Sequence, residues 1–352
     1  MRDALAPLGG LERFVRPGMR VLLKPNMLTA APPERAVTTH PALIETVARL
    51  VREVGGVVSI GDSPGGSVKR VPEVWRDTGI AEAAARLDVA LVPFESAVWE
   101  RLDGLDYFIA RPLREADLVI NLPKLKTHQF ALYTGGVKNL FGAVPGSRKR
   151  ELHVYAPGIQ DFSHILVDVL ELVPTGLTIM DGILGQEGNG PGLSGTPRRY
   201  NCLLASADPV ALDAIAVRAL GYQPAQVEHI RLAGVRGLGV SDPAAIELVG
   251  DRQSLAFAPV RLPAPRWYFH APAWTTRAAT GALRIRPQVE DGACVGCGAC
   301  IEVCPRGAIM LGRPPIFDLG ACIGCMCCAE ICPQGAITPR CGLLARLIGL
   351  GR

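Results

Sequence analysis

The chain has 352 residues, of which 49% are hydrophobic, and a formal net charge of +4. That length accommodates two domains, or three, with ample core. The small charge, with no basic run longer than Arg148, Lys149, Arg150, argues against nucleic acid as a partner. No stretch reaches the ~20 apolar residues of a membrane span, and the first residues lack a secretory apolar core, so the expected location is cytoplasmic and reducing.

In chain order, the first 250 residues alternate strand and helix signals, the pattern of an α/β layer architecture. Arg20 to Pro25 (RVLLKP) reads as a buried strand, Pro41 to Val54 as a helix and Gly56 to Gly61 as a second strand. Pro72 to Leu87 is expected to be helical, with strands at Val89 to Pro93 and Asp117 to Leu122. A short helix is expected over Val137 to Val144, after Gly135 and Gly136, and a longer one over Asp161 to Val173 with Asp161 as its N-cap. Leu177 to Met180 and Arg199 to Ser206 read as strands, and Pro209 to Leu220 as a helix capped by Asp208 and stopped at Gly221. Ala244 to Val249 is expected to close the core as a last strand.

Residues 251–288 change texture. They are rich in proline, arginine and the aromatics Trp267, Tyr268, Phe269 and Trp274, and read as a linker or wrapping arm docked against the folded parts. Residues 289–340 carry most of the cysteines. Residues 341–352, with LLARLIGL from Leu343 to Leu350, form a short amphipathic tail that packs on its own protein or meets a membrane surface or partner.

The cysteines are the most specific signal. CVGCGACIEVCP begins at Cys294 and CIGCMCCAEICP at Cys322, twenty-eight positions later, and each reads CxxCxxCxxxCP. Four thiolates at this spacing suit a cubane 4Fe–4S cluster, and in the two-cluster run the fourth cysteine ligates the other cluster. The expected quartets are Cys294, Cys297, Cys300 and Cys332 for one cluster, and Cys322, Cys325, Cys328 and Cys304 for the second. Zinc is the weaker alternative, since two matched quartets, each closed by a Cys-Pro and followed by Gly-Ala-Ile, are more than a tetrahedral site needs. Cys202, Cys327 and Cys341 are left over, with packing as their default role.

In the large domain, polar residues gather where the expected strands end, which is where open α/β sheets bind ligands. Lys24 and Asn26 end the first strand. Asp62, Ser63, Gly65 and Gly66 follow the second, and the glycines there suit an amide nest for an anion. Asn121 to Gly146 places Lys124, Lys126, His128, Lys138 and Asn139 in an otherwise apolar region. Buried ammonium groups need an anion, so these lysines imply either a bound phosphate or carboxylate or internal carboxylate partners. His128, Lys124 and Lys126 are the candidate catalytic residues: His128 is a general acid or base near neutral pH, or a structural hydrogen-bonder. Asp181, and Glu187 in the glycine-rich run to Gly192, could neutralise the lysines, bind a substrate hydroxyl or hold a metal. Lys24, Asn26, Asp62, Ser63, Gly65, Lys138, Asn139 and Asp181 make up the candidate anion site.

On KPN at Lys24 to Asn26, GDSPG at Gly61 to Gly65, LPKLKTH at Leu122 to His128, TGGVKNLFGAVPG at Thr134 to Gly146, MDGILGQEGNGP at Met180 to Pro191 and DPVALDAIA at Asp208 to Ala216, the chain resembles the domain-of-unknown-function 362 family. A C-terminal ferredoxin module is a known companion of that domain. The resemblance implies a redox-linked protein and supplies no substrate. More distantly the domain is similar to the α/β domains of the lactate racemase type, an analogy of fold alone. The expected architecture is therefore α/β: a large N-terminal α/β domain plus a small C-terminal α+β ferredoxin-like two-cluster domain. The expected function is an iron–sulfur oxidoreductase passing electrons from a redox partner protein or reductant through two 4Fe–4S clusters to a small anionic ligand. The alternative is a non-enzymatic electron carrier whose large domain docks a partner or senses a small anion. No GxGxxG follows a strand, so an additional flavin or other anionic cofactor stays open without a motif for it.

Overall fold

The computed structural model describes residues 1–65, 70–146, 148–156, 158–263 and 286–340. Gly66, the four aromatics of the expected arm, Cys341 and the tail lie outside the described residues.

The large domain is built on one mixed sheet. Its strands are β1 (Arg20–Pro25), β2 (Val57–Ile60), β3 (Ala90–Leu91), β6 (Leu118–Leu122), β7 (Lys124–His128), β8 (Leu132–Thr134), β9 (Leu177–Gly188) and β10 (Gly195–Ser206), while β4 (Ala97–Leu102) and β5 (Leu105–Ala110) form a separate hairpin. Strands β3, β2, β1 and β6 lie side by side in parallel. β6 and β7 follow one another along β9, in register at Ile120 with Leu177 and at Lys124 with Asp181, and β10 pairs antiparallel with β9.

Side chains along the central strands alternate between two covered faces, so nearly every position is buried. Val21, Leu23, Ile120, Leu122, Leu177 and Ile179 pack on the face that includes the helix Pro41–Glu53. Leu22, Val119 and Met180 pack on the other, with the helices Ile159–Leu172 and Pro209–Ala219. The chain runs outward from β1 through β2 to β3 and then returns to place β6 on the far side of β1. The strand order therefore reverses between β1 and β6, the position at which open α/β sheets place a ligand crevice.

Several expected elements differ. The helix over Pro72 to Leu87 is two helices, Val71–Asp77 and Ile80–Leu87, because Gly79 at φ 73° breaks the run. The strand at Val89 to Pro93 shrinks to β3. The helix at 161–173 starts at Ile159 with Gly158 as N-cap, so Asp161 sits inside its first turn and does not cap it. Asp208 does cap its helix, accepting from the amides of Val210 and Ala211 at 2.8 and 3.0 Å. Ala244 to Val249 is not a strand. Asp242 caps a short 3-10 turn at Pro243–Ala245, and the residues beyond it join no sheet. Lys124 to His128 is itself a strand, and Leu177 to Met180 is only the start of the 12-residue β9.

The small domain pairs β11 (Arg286–Val289) with β14 (Ile337–Arg340) and β12 (Ile309–Met310) with β13 (Ile316–Phe317), around two short helices, Ala299–Val303 and Cys327–Ile331. Each helix follows a left-handed residue, Gly298 at φ 75° or Met326 at φ 60°, so the two halves share one design. Among the described residues no helix is long and apolar enough to cross a membrane.

Candidate functional site

Two ion pairs are buried at the carboxyl ends of the strands. Lys24, fully buried at the end of β1, lies 2.7 Å from Asp62 Oδ1 beyond β2, and its Nζ also donates to the Asn139 carbonyl at 2.7 Å. Asp62 Oδ2 accepts from the Met27 amide at 2.8 Å. Lys124 on β7 lies 2.7 Å from Asp181 Oδ2 on β9, which also accepts from the His40 amide at 2.9 Å. Burial pulls both ammonium groups below the usual lysine range against the pull of their carboxylates. These pairs lock neighbouring strands together.

The other described lysines have no such partner. Lys126 Nζ donates to Asn26 Oδ1 at 2.8 Å and the Val37 carbonyl at 2.7 Å. It is 1% exposed, and burial, reinforced by Lys138 and Lys124, pushes it well below its ordinary value. Lys149 Nζ donates to the carbonyls of Ser63 and Pro64. Burial, together with Lys24 and Lys138 and against Asp62, brings it down to about 7. Half-buried Lys138 makes no hydrogen bond or ion pair among the described residues; its Nζ stands 5.9 Å from the centroid of the Phe162 ring. The turn that carries it is held by Asp213, which accepts from the amides of Gly136 and Val137 at 2.6 and 2.9 Å and from the Tyr133 hydroxyl at 2.8 Å.

Between the domains lies a cleft of about 100 Å³. Asn26, Asp62, Ser63, Gly65, Lys138, Asn139, Lys149 and His153 form one wall, and Val303, Cys327, Glu330 and Ile331 of the small domain form the other. Of the sequence candidates, Lys24, Lys124, Lys126, His128 and Asp181 do not line it; they stand behind its walls. Lys149, His153, Cys327 and Glu330 enter it without a sequence signal. In the sequence Lys149 stands out only as part of the short basic run Arg148, Lys149, Arg150, and Glu330 lies between the ligand candidates Cys328 and Cys332.

His128 faces Glu330 across the domain boundary, Nε2 to Oε1 at 3.1 Å. Its Nδ1 accepts from the amides of Phe130 and Ala131 at 3.0 and 3.1 Å, so the proton sits on Nε2, which meets the carboxylate as a close contact and not as a well-aligned hydrogen bond. Burial, with Lys138 and Lys126 nearby, lowers the ring to about 4 despite Glu330. His128 is therefore neutral at neutral pH, with its Nδ1 taken up by the backbone. Burial would raise the Glu330 carboxyl, but His128 and Lys138 hold it down at about 2.

The glycine-rich run is a seat for the small domain. Gln186 Nε2 fixes it from below, donating to the carbonyls of Arg35 at 2.8 Å and Gly192 at 3.1 Å. A Cβ on Gly192 would stand 2.7 Å from the Glu330 carbonyl oxygen, and one on Gly335 would stand 3.2 Å from the Leu193 carbonyl. Glu187 pairs with Arg198 at 2.7 Å and Arg261 at 2.9 Å, so it holds the chain at Arg261 and does not neutralise the lysines.

The eight expected ligand cysteines gather into two cavities. Cys294, Cys297, Cys300 and Cys332 line one, and Cys304, Cys322, Cys325 and Cys328 line the other. Among the described residues no three His, Cys, Asp or Glu side chains converge on a single-ion position, whereas four thiols ringing a cavity suit a cubane. Amides of Gly296, Ala308 and Ala336 donate to the sulfurs of Cys294, Cys304 and Cys332 at 3.4, 3.2 and 3.3 Å, an arrangement that favours thiolate. Cys327 belongs to neither quartet, and its thiol hydrogen-bonds the sulfur of Cys325. Cys202 packs against the Gly182 carbonyl, and burial pushes it up to about 12.

A large α/β domain with lysines at its switch point, joined to a small domain with two cysteine quartets, defines an iron–sulfur protein with electron-transfer capacity. The 4Fe–4S binding domain matches twice, over residues 287–310 and 315–338. The chain belongs to the family of the domain of unknown function DUF362, whose model matches residues 21–218. It is 40% identical over 252 residues to the thylakoid-associated protein sll1697 of Synechocystis sp. (strain ATCC 27184 / PCC 6803 / Kazusa), covering 70% of this chain and 76% of that protein. Among solved structures, the lactate racemase apoprotein from Thermoanaerobacterium thermosaccharolyticum aligns with a TM-score of 0.39 at 14% identity over 60% of this chain; the match spans about half, 51%, of that structure.

Proposed function

We propose that the protein is an iron–sulfur oxidoreductase whose substrate or second cofactor is a small anion held in the cleft between the two domains. The observation that carries this reading is the Lys138 ammonium, half-buried in the cleft wall with no hydrogen bond or ion pair among the described residues and only the longer-range pull of Glu330. A charged group in that position is costly unless an anion meets it. Lys24 is matched by Asp62, and Lys138 and Lys149, the latter protonated below about 7, line the cleft against Glu330, with His128 and His153 neutral. The surplus is positive and suits a phosphate or carboxylate, whether on a substrate or on a flavin-like cofactor.

The two clusters, held by the quartets of the small domain, supply single electrons. The chain's own residues then divide the remaining work. Lys138 and Lys149 bind the anion, and Asn26 and Ser63 orient it. Lys124 with Asp181, and Lys24 with Asp62, fix the strands that carry these groups. His128 holds Glu330, and with it the helix Cys327–Ile331, against the cleft. The group placed to give a proton to a bound anion is Lys149, brought down to about 7.

The test is mass spectrometry of small molecules released from anaerobically purified protein, with Lys138→Ala alongside. An anionic compound should be released from the wild type, be absent from the variant with its clusters intact, and reoxidise the dithionite-reduced wild type. If no such compound is found and Lys138→Ala leaves reoxidation by every acceptor unchanged, the protein is a carrier and not an oxidoreductase.

A further inference from the structure

The cleft and the quartet of Cys304, Cys322, Cys325 and Cys328 share a wall one side chain thick. Val303 precedes ligand Cys304 in the chain, Cys327 precedes ligand Cys328, and both line the cleft. The Cys327 thiol reaches across to the sulfur of ligand Cys325. On the opposite wall stands Lys138. The wall is dry: Cys304, Cys325, Cys327 and Cys328 are each less than a tenth exposed, so charges on its two sides are weakly screened.

We propose that an anion bound at Lys138 and an electron held by the quartet of Cys304, Cys322, Cys325 and Cys328 are thermodynamically coupled. The anion lowers the reduction potential at this quartet, and reduction weakens the grip of Lys138 on the anion. The sign follows from charge: reduction adds one electron, which enters from outside, and no bond is made or broken. A second negative charge behind Cys327 opposes the anion in front of it. Coupling of two binding events is reciprocal, so one measurement fixes the other. The other quartet lies toward solvent. Cys297 is exposed, and Val295 and Leu311 on the rim of its cavity are 50% and 81% exposed, so water screens it and it serves as an internal reference. The inference rests on the reading of the cleft as an anion site.

The experiment is film voltammetry of the protein with both clusters in place, titrated with inorganic phosphate at constant ionic strength. Alongside it, phosphate binding to oxidised and to dithionite-reduced protein is measured by anaerobic calorimetry. One of the two couples should fall to a plateau while the other holds still. Tenfold weaker binding to the reduced protein reads as about 59 mV for a one-electron couple. Lys138→Gln should abolish the shift and Lys149→Gln reduce it. Equal binding to both oxidation states with no shift overturns the coupling and leaves the anion site standing. Equal movement of both couples also overturns it, since the effect then travels through solvent. No phosphate binding in either state overturns the anion reading itself.

Discussion

At the residue scale, the lysines around the cleft differ in what neutralises them, and that difference sets their separate roles. The Lys124–Asp181 pair is buried and tied to the His40 amide. Asp181→Asn keeps an acceptor for that amide but strands a buried ammonium, and should cost about 3–5 kcal/mol in urea unfolding. Replacing both partners with Met and Leu should recover most of that loss; a single variant as stable as the wild type would show that the pair does not hold the strands. Lys149 is the opposite case, a cation brought down to about 7. A lowered lysine is charged below its pKa and neutral above it, so affinity for sulfate, whose own charge is constant over this range, should fall as pH rises from about 6 to about 8. Lys149→Arg should flatten that profile, because arginine stays charged; a wild-type profile already flat over this range would remove Lys149 from the site. The gathering of lysines was legible in the sequence. Which of them found internal carboxylates was not, since Asp62 and Asp181 come from strands brought beside Lys24 and Lys124 only by the sheet order.

At the scale of elements, the glycine-rich run from Glu187 to Gly192 shows most clearly what sequence patterning misses. It follows a strand and carries Glu187, so it reads as a ligand loop, yet its backbone is where the small domain sits. Gly192 is needed for close approach. Gly192→Val would drive a side chain into the Glu330 carbonyl, 2.7 Å from where the Cβ would stand, and should undock the small domain without unfolding either part. Cluster absorbance should be unchanged while the radius of gyration rises and the link between sheet domain and clusters becomes sensitive to protease. An unaltered radius would mean that the loop is not the seat. Strands with runs of apolar residues, such as β1 and β6, announced themselves. β7, with two lysines and a histidine among five buried residues, did not, because its polar side chains are buried by ion pairs and interdomain contacts that no local pattern encodes. The segment at Ala244 to Val249 failed the other way: its apolar run suggested a strand, but the Asp242 and Pro243 cap turned the chain away before it could join the sheet.

At the scale of the whole molecule, two domains meet over one cleft, and the small one has little to hold it together except its metal. Its buried core over residues 286–340 is small and includes six cysteines, with Ala299, Val303, Ala308, Ile309, Met326, Ala329, Ile331, Ala336 and Ile337 beside them. A domain of this size is marginal on hydrophobic burial alone, so its folding is expected to be linked to cluster assembly. The crossed quartets sharpen this. Cys304 sits in the first motif but lines the cavity with Cys322, Cys325 and Cys328, while Cys332 crosses the other way. A cluster in each cavity would tie both halves of the domain. Cys304→Ala should lose the cluster of the second motif and about half of the iron, while the signal from the Cys294, Cys297 and Cys300 cluster survives in low-temperature electron paramagnetic resonance of the reduced protein. Because the surviving cluster still has Cys332, the domain should remain docked at Gly192. Full removal of iron by a chelator should go further, abolishing the thermal transition of the small domain and leaving that of the sheet domain in place. If Cys304→Ala instead removes the cluster of its own motif, the quartets are uncrossed, and Cys327 then borders a different cluster from the one the cleft is argued to sense.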